Sequence, residues 1–240
     1  HAPRPVLETG IGQRVLPRAV RQIEGVDCIA CHLLTVGEDA GRVAGTITDK
    51  RAACRPVERT ELVRPEFCAG CHDQHGTVQQ WRASRYAQPG PGRRDCVDCH
   101  MPERDPAGGA GRDHTMHGGH SLAMLRAAVE LRAARDDGGW RIEVENVGAG
   151  HNYPTDERSR ASDLLWRPAR GPGPGGEGEE KWRQLHRFRN PYRHEIGLPN
   201  TELPAGETFA TLLEDDTIPT GPDGAPAAVE VGLFYKLSPY

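Results

Sequence analysis

A thiol, two residues, a second thiol and then an imidazole: that order occurs three times in this chain. The copies are Cys28-Ile29-Ala30-Cys31-His32, Cys68-Ala69-Gly70-Cys71-His72 and Cys96-Val97-Asp98-Cys99-His100. The spacing suits one kind of chemistry. Two thiols add across the two vinyl groups of a porphyrin, and the next side chain presents a nitrogen to its iron. Cys28, Cys31, Cys68, Cys71, Cys96 and Cys99 are therefore expected to tether three covalently bound haem c groups. His32, His72 and His100 are expected to fill one axial position on each iron. Zinc sites also use Cys-x-x-Cys, but normally two pairs per metal. Three pairs do not divide that way, and zinc leaves the His after every pair unexplained. A thioredoxin-like motif needs a βαβ setting, and no such pattern surrounds these copies.

The second axial position decides what each iron does. A second His closes the iron, Met raises its potential, and an open face admits substrate. Eight further histidines are available: His1, His75, His114, His117, His120, His151, His186 and His194. Three crowd into Asp113-His114-Thr115-Met116-His117-Gly118-Gly119-His120. Structural histidines usually occur singly, so ligation by at least one of these is favoured. Gly118-Gly119 would let the backbone come close to a macrocycle. His151 lies in Gly148-Ala149-Gly150-His151-Asn152-Tyr153-Pro154, a stiff turn after a strand. An exposed turn His is the plain alternative there. His117 and His75 stand in reserve, His1 and Met116 are weaker candidates, and His186 and His194 are read as surface or packing residues.

The stretch from Phe67 to Pro154 resembles the multihaem cytochromes c related to cytochrome c-554. The resemblance is carried by Trp81 to Ser84 ahead of Cys96-x-x-Cys99-His100-Met101-Pro102, by the His-rich segment His114 to His120, and by the Asn146 to Thr155 turn. It implies that His151 and at least one of His114 and His120 are distal haem ligands. The expected distal set is His114, His120 and His151. One departure matters: where the family often has a His two residues after the Ser, this chain has Tyr86.

The elements that position these groups divide the chain into two parts. Residues 1–120 hold every attachment motif, with loop punctuation such as Gln88-Pro89-Gly90-Pro91-Gly92. They read as a loop-and-short-helix trihaem domain, with a helix over 79–86. Residues 121–240 read as an antiparallel β-sandwich domain that donates a distal ligand. Ser121 is a candidate N-cap for a helix over 122–128. Val129, Leu131 and Ala133 alternate with polar residues, Asp136-Asp137-Gly138-Gly139 signals a hairpin, and Trp140, Ile142 and Val144 alternate again. Phe209, Thr211 and Leu213 form a further run, and Val229 to Leu237 is the clearest period-2 segment. Residues 168–180 read as a long loop. The fold class is thus α+β and partly irregular. Hydrophobic residues make up only 36% and aromatics 5%, thin material for an all-protein core unless haem supplies part of it.

The formal charge of −4 becomes more negative with two propionates per haem, which disfavours nucleic acid as a partner. Nearly all cations are Arg, whose planar fork suits propionate. No stretch is long and apolar enough to span a membrane. Cytochromes c mature outside the cytoplasm, so His1 is expected to follow a removed leader, and the location to be periplasmic or extracellular. Cys54 is left over and is read as buried and inert.

The favoured function is an electron carrier and not an enzyme: three bis-His haems passing electrons to redox partner proteins or an extracellular acceptor, with a homo-oligomer or conductive filament as an extension. The alternative is an oxidoreductase with one open haem acting on nitrite or hydroxylamine. A binding module is disfavoured, since no aromatic platform or calcium motif is visible.

Overall fold

The computed structural model describes residues 28–47, 51–73, 76–105, 107, 111–155, 160–169, 181–191, 195–221 and 224–237. His1, His75, His194 and all but the first two residues of the 168–180 loop lie outside them. The fold is mixed, with a few short helices and two antiparallel sheets. It separates into two compact units, described in turn.

The first unit draws on residues up to 71 and on 95–114. Its helices are the attachment motifs themselves: α1 (Cys28–His32), α2 (Pro65–His72, which runs on to the boundary) and α4 (Cys96–His100). Pro65 opens α2, where its missing N–H costs nothing. Asp95 and Asp98 close a capping box at the start of α4. Two very short strands, β1 (Ala44–Gly45) and β2 (Val57–Glu58), pair in parallel. Arg42 and Arg59 both bind Asp39, at 2.6 and 2.8 Å, and tie the loop before β1 to the end of β2. Few side chains of this unit are buried; Ala44, Pro65 and Val97 are the apolar ones among the described residues.

The second unit draws on 72–94 and on residues from 115 onward. It holds α3 (Thr77–Ala83), α5 (Leu122–Ala128) and six strands. The helix expected over 79–86 is α3 followed by a 3₁₀ turn, Arg85–Ala87, because Ser84 leaves the helical region and its hydroxyl accepts from Tyr86 N. Ser121 does cap α5, accepting from Met124 N at 3.4 Å.

One sheet has the order β3 (Glu130–Asp136), β4 (Gly139–Glu145), β7 (Thr208–Glu214), all antiparallel. The other has β6 (Arg183–Arg189), β5 (Ala161–Pro168), β8 (Val229–Lys236), also antiparallel. A single apolar cluster takes Ile142 and Val144 from β4, Leu213 from β7, Leu164 and Trp166 from β5 and Phe188 from β6, closed by Leu203 and Ile218. The Asp137-Gly138 hairpin turn joins β3 to β4, with Gly138 at φ +83°. His186 packs on this unit: its ring stacks on Phe209 at 4.1 Å and meets Phe188 edge-on at 4.6 Å.

The central strand β5 and its neighbour β6 carry no signal in the sequence reading. Six of the eight residues in β5 are buried, polar Ser162 and Asp163 among them, so both faces are covered and the apolar–polar alternation disappears.

Candidate haem-binding site

Each attachment motif is one turn of helix. At i, i+3 and i+4 the two thiols and the imidazole share a face, the arrangement a porphyrin edge and iron require. Among the described residues no three His, Cys, Asp or Glu side chains converge on one point. No disulfide joins any of the seven cysteines, all of them described. Cys54 is exposed, against the expectation of a buried thiol, because it sits in an open turn with positive-φ Arg55 after it.

Within the first unit, cysteines from different motifs meet. Cys68 and Cys96 are hydrogen-bonded. That bond, more than any other influence, holds the Cys68 thiol below its ordinary pKa and, with burial, pushes Cys96 far up. Cys31 and Cys71 are near enough for their charge to act on Cys68. Tethering sulfurs of all three motifs therefore share one neighbourhood.

His32 and His114 also meet in this unit. Their ring centroids are 5.9 Å apart with planes inclined at 46°. The Nδ1 of His32 lies 2.8 Å from Ala44 O, and the Nδ1 of His114 lies 2.8 Å from Arg112 O. A carbonyl only accepts, so each Nδ1 carries the proton and each Nε2 keeps its lone pair for a metal. A metal–imidazole bond is about 2 Å, so two rings on opposite faces of one iron have centroids about 6 Å apart. The observed separation fits that requirement.

His151, in the second unit, follows the same pattern: Nδ1 lies 2.9 Å from Asn152 O. Its turn is firmly built. Asn146, 1% exposed, donates to His151 O at 2.9 Å and Leu203 O at 3.0 Å and accepts from Ala149 N at 3.2 Å. Gln80 on α3 accepts from Asn152 N at 3.1 Å and Thr155 Oγ1 at 2.6 Å. A side chain at Gly150 would press on Trp81 and Tyr86. The Trp81–Ser84 segment and the His151 turn, noted separately in the sequence, are thus one packed feature.

The remaining site residues are placed as follows. His72 and His100 end α2 and α4. His120 is exposed, just ahead of the Ser121 cap. His117 Nε2 lies 2.9 Å from Thr115 Oγ1, bonded within its own turn. The close approach expected of Gly118-Gly119 is to protein at Gly119: a Cβ there would lie 2.7 Å from the Tyr235 ring of β8. Sequence reasoning missed Arg112. Its guanidinium donates to Val97 O at 3.2 Å, Met101 O at 3.1 Å and Asp98 at 3.1 Å. Only the pairing of 111–113 with 102–104 brings it to α4.

Comparison with known proteins agrees with this chemistry. Residues 44–111 match the N-terminal region of the NapC/NirT cytochrome c family. The fold is similar to that of a penta-haem cytochrome c552 from Thermochromatium tepidum, with 22% identity, 90% of this chain and 70% of that chain covered, and a TM-score of 0.63. No curated protein is detectably similar in sequence. These findings support a multihaem c-type cytochrome.

They also correct one expectation. The chain was read as an electron carrier and not an enzyme. The two likenesses are to redox-active cytochromes, and they overturn that exclusion. The physical reason is plain: the same tether and proximal His serve transfer and catalysis, and only the sixth iron position separates them. Among the described residues no helix is long and apolar enough to cross a membrane.

Proposed function

We propose that this chain is a trihaem c-type cytochrome that moves electrons between its haems and on to redox partners in the periplasm or outside the cell. Residues 1–120 carry the tethers, and 121–240, read as a β-sandwich, hold His151 in place. His114, His120 and His151 would serve as the distal ligands, His114 holding the same iron as His32, whose ring lies 5.9 Å from its own. When bound, haem supplies a one-electron couple at iron and a conjugated ring through which charge leaves. The chain's part is to hold that ring still. Nδ1 hydrogen bonds fix the His32, His114 and His151 imidazoles, so ligand geometry changes little between oxidation states and reorganisation stays small. Assembly into a homo-oligomer or filament is an extension of this reading.

The observation that carries it is the meeting of cysteines from separate motifs, Cys68 with Cys96 and Cys31 near Cys68. Macrocycles bound there lie within short electron-transfer range of each other. Intact mass of the native protein is expected to show three added haems, and EPR of the oxidised form three low-spin ferric signals. A bare polypeptide mass would end the proposal.

A second reading is an oxidoreductase with one open haem, acting on a small nitrogen compound. It is favoured by Tyr86, which stands where related cytochromes often have a His. Its ring lies against Gly150, beside His151, and its hydroxyl accepts from Arg85 at 3.0 Å. A high-spin ferric signal that responds to nitrite or hydroxylamine would select this reading.

A further inference from the structure

Arg112 joins the helix of the third attachment motif to His114, its side chain on one and its main chain on the other. Its guanidinium closes α4, the helix of the third motif. Nη1 donates to Val97 O at 3.2 Å and Met101 O at 3.1 Å, and Nη2 to Asp98 Oδ1 at 3.1 Å. A helix end leaves carbonyls without helical partners, and a five-residue helix has little else to hold it. Asp98 is shared: its other oxygen accepts from Asp95 N at 2.9 Å.

The main-chain carbonyl of Arg112 does something else. It holds His114 Nδ1 at 2.8 Å, and His114 faces His32 of the first motif at 5.9 Å. The surrounding strand fixes the geometry. Arg104 N donates to Gly111 O at 3.0 Å, Asp113 N donates to Pro102 O at 2.8 Å, and Glu103 bridges to Arg112. The segment 111–114 is therefore zipped to the residues that leave the third motif. The distal imidazole of one iron is mechanically an outgrowth of another iron's tether.

We propose that Arg112 is a positioning residue that couples the third haem centre to the first, setting the orientation and basicity of His114 from the end of α4. This rests on the reading of His114 as a distal ligand. A displaced α4 end moves the Arg112 carbonyl and weakens the Nδ1–H bond. A weaker bond makes the imidazole a poorer donor to iron and raises that iron's potential.

The test uses the native holoprotein with Arg112→Ala, Arg112→Lys, Asp98→Asn and His114→Ala, read by intact mass, EPR and a redox titration. His114→Ala identifies the signal and the redox step that belong to the His32 iron. With three haems retained, Arg112→Ala is expected to move that same signal and shift that step to higher potential, any other change being confined to the haem of the third motif, whose helix Arg112 closes. Arg112→Lys pairs with Asp98 but cannot serve both carbonyls, so the shift should be smaller. Should Arg112→Ala fail to load three haems, Asp98→Asn decides; it is expected to show the same shift in reduced size. Unmoved spectra and potentials in the loaded variants would overturn the proposal, because a purely structural cap changes stability alone. If His114→Ala itself alters no iron signal, the ligand reading has failed, and that outcome is distinct from a failure at Arg112.

Discussion

Asn146 shows how much of this molecule rests on single side chains. It is 1% exposed and satisfies two carbonyls and one amide across the His151 turn and the Leu203 strand. Asn146→Ala removes all three bonds, although Leu203 O keeps its bond from Tyr153 N, and is expected to cost about 1–3 kcal/mol. Denaturant unfolding should show the loss, and the proposed ligation by His151 predicts that one low-spin EPR signal broadens in the same variant. Tyr153 makes a second case. Its ring is buried, and its hydroxyl bonds Ser162 Oγ at 3.0 Å. Burial raises its pKa to about 12. The unfolded chain therefore loses this proton near the ordinary value of about 10 while the folded chain keeps it. Stability from this group is complete below that value and falls as pH rises towards 12. Tyr153→Phe should flatten the alkaline decline in a denaturation series over that window. The motif cysteines and their histidines were legible because covalent attachment fixes their spacing. The facing of His32 and His114 was not, since nothing local records which distant loop returns to which helix.

At the scale of elements, the strands differ in how openly they declare themselves. β4 and β7 alternate because one face meets the core and the other is more open; β3 and β8 alternate in sequence, although β3 is mostly exposed and β8 half-buried along most of its length. β5 lies between β6 and β8, and its buried carboxylate Asp163 is held by Arg187 and by Lys236 at 3.1 Å. A central strand with both faces covered reads like a short stretch of any buried segment. It is nonetheless the strand on which the second sheet depends. Leu164 is fully buried in the shared cluster. Leu164→Ala is expected to cost about 3–4 kcal/mol, read as a lower denaturation midpoint with an unchanged slope. Leu237, 53% exposed just beyond β8, offers a contrast, where Leu237→Ala should cost less than about 1 kcal/mol.

The whole molecule divides by the source of its cohesion. Residues from 115 onward, with 72–94, bury a protein core of Ile, Val, Leu, Phe and Trp. The described residues of the first unit bury little apolar surface of their own, and their helices α1 and α4 are five residues long. Such helices do not persist alone in water. Chain produced without haem attachment should therefore keep a β-type circular dichroism spectrum. Hydrogen exchange should show protection in β4, β5 and β7 and none in 28–71 or 95–114. Protection of both regions in haem-free chain would contradict this division. The low aromatic and hydrophobic content pointed to it, but not to the return of 95–114 among the earlier motifs, which depends on pairing across the chain.

Tyr235 has a consequence for the order of events during manufacture. Its ring fills the space beside Gly119, yet the ribosome makes it more than a hundred residues after that glycine. Until β8 docks, the turn ahead of His120 lacks this contact. Order in the 115–120 segment therefore waits on a strand made much later, and a chain cut short of β8 is expected to leave that turn unsettled.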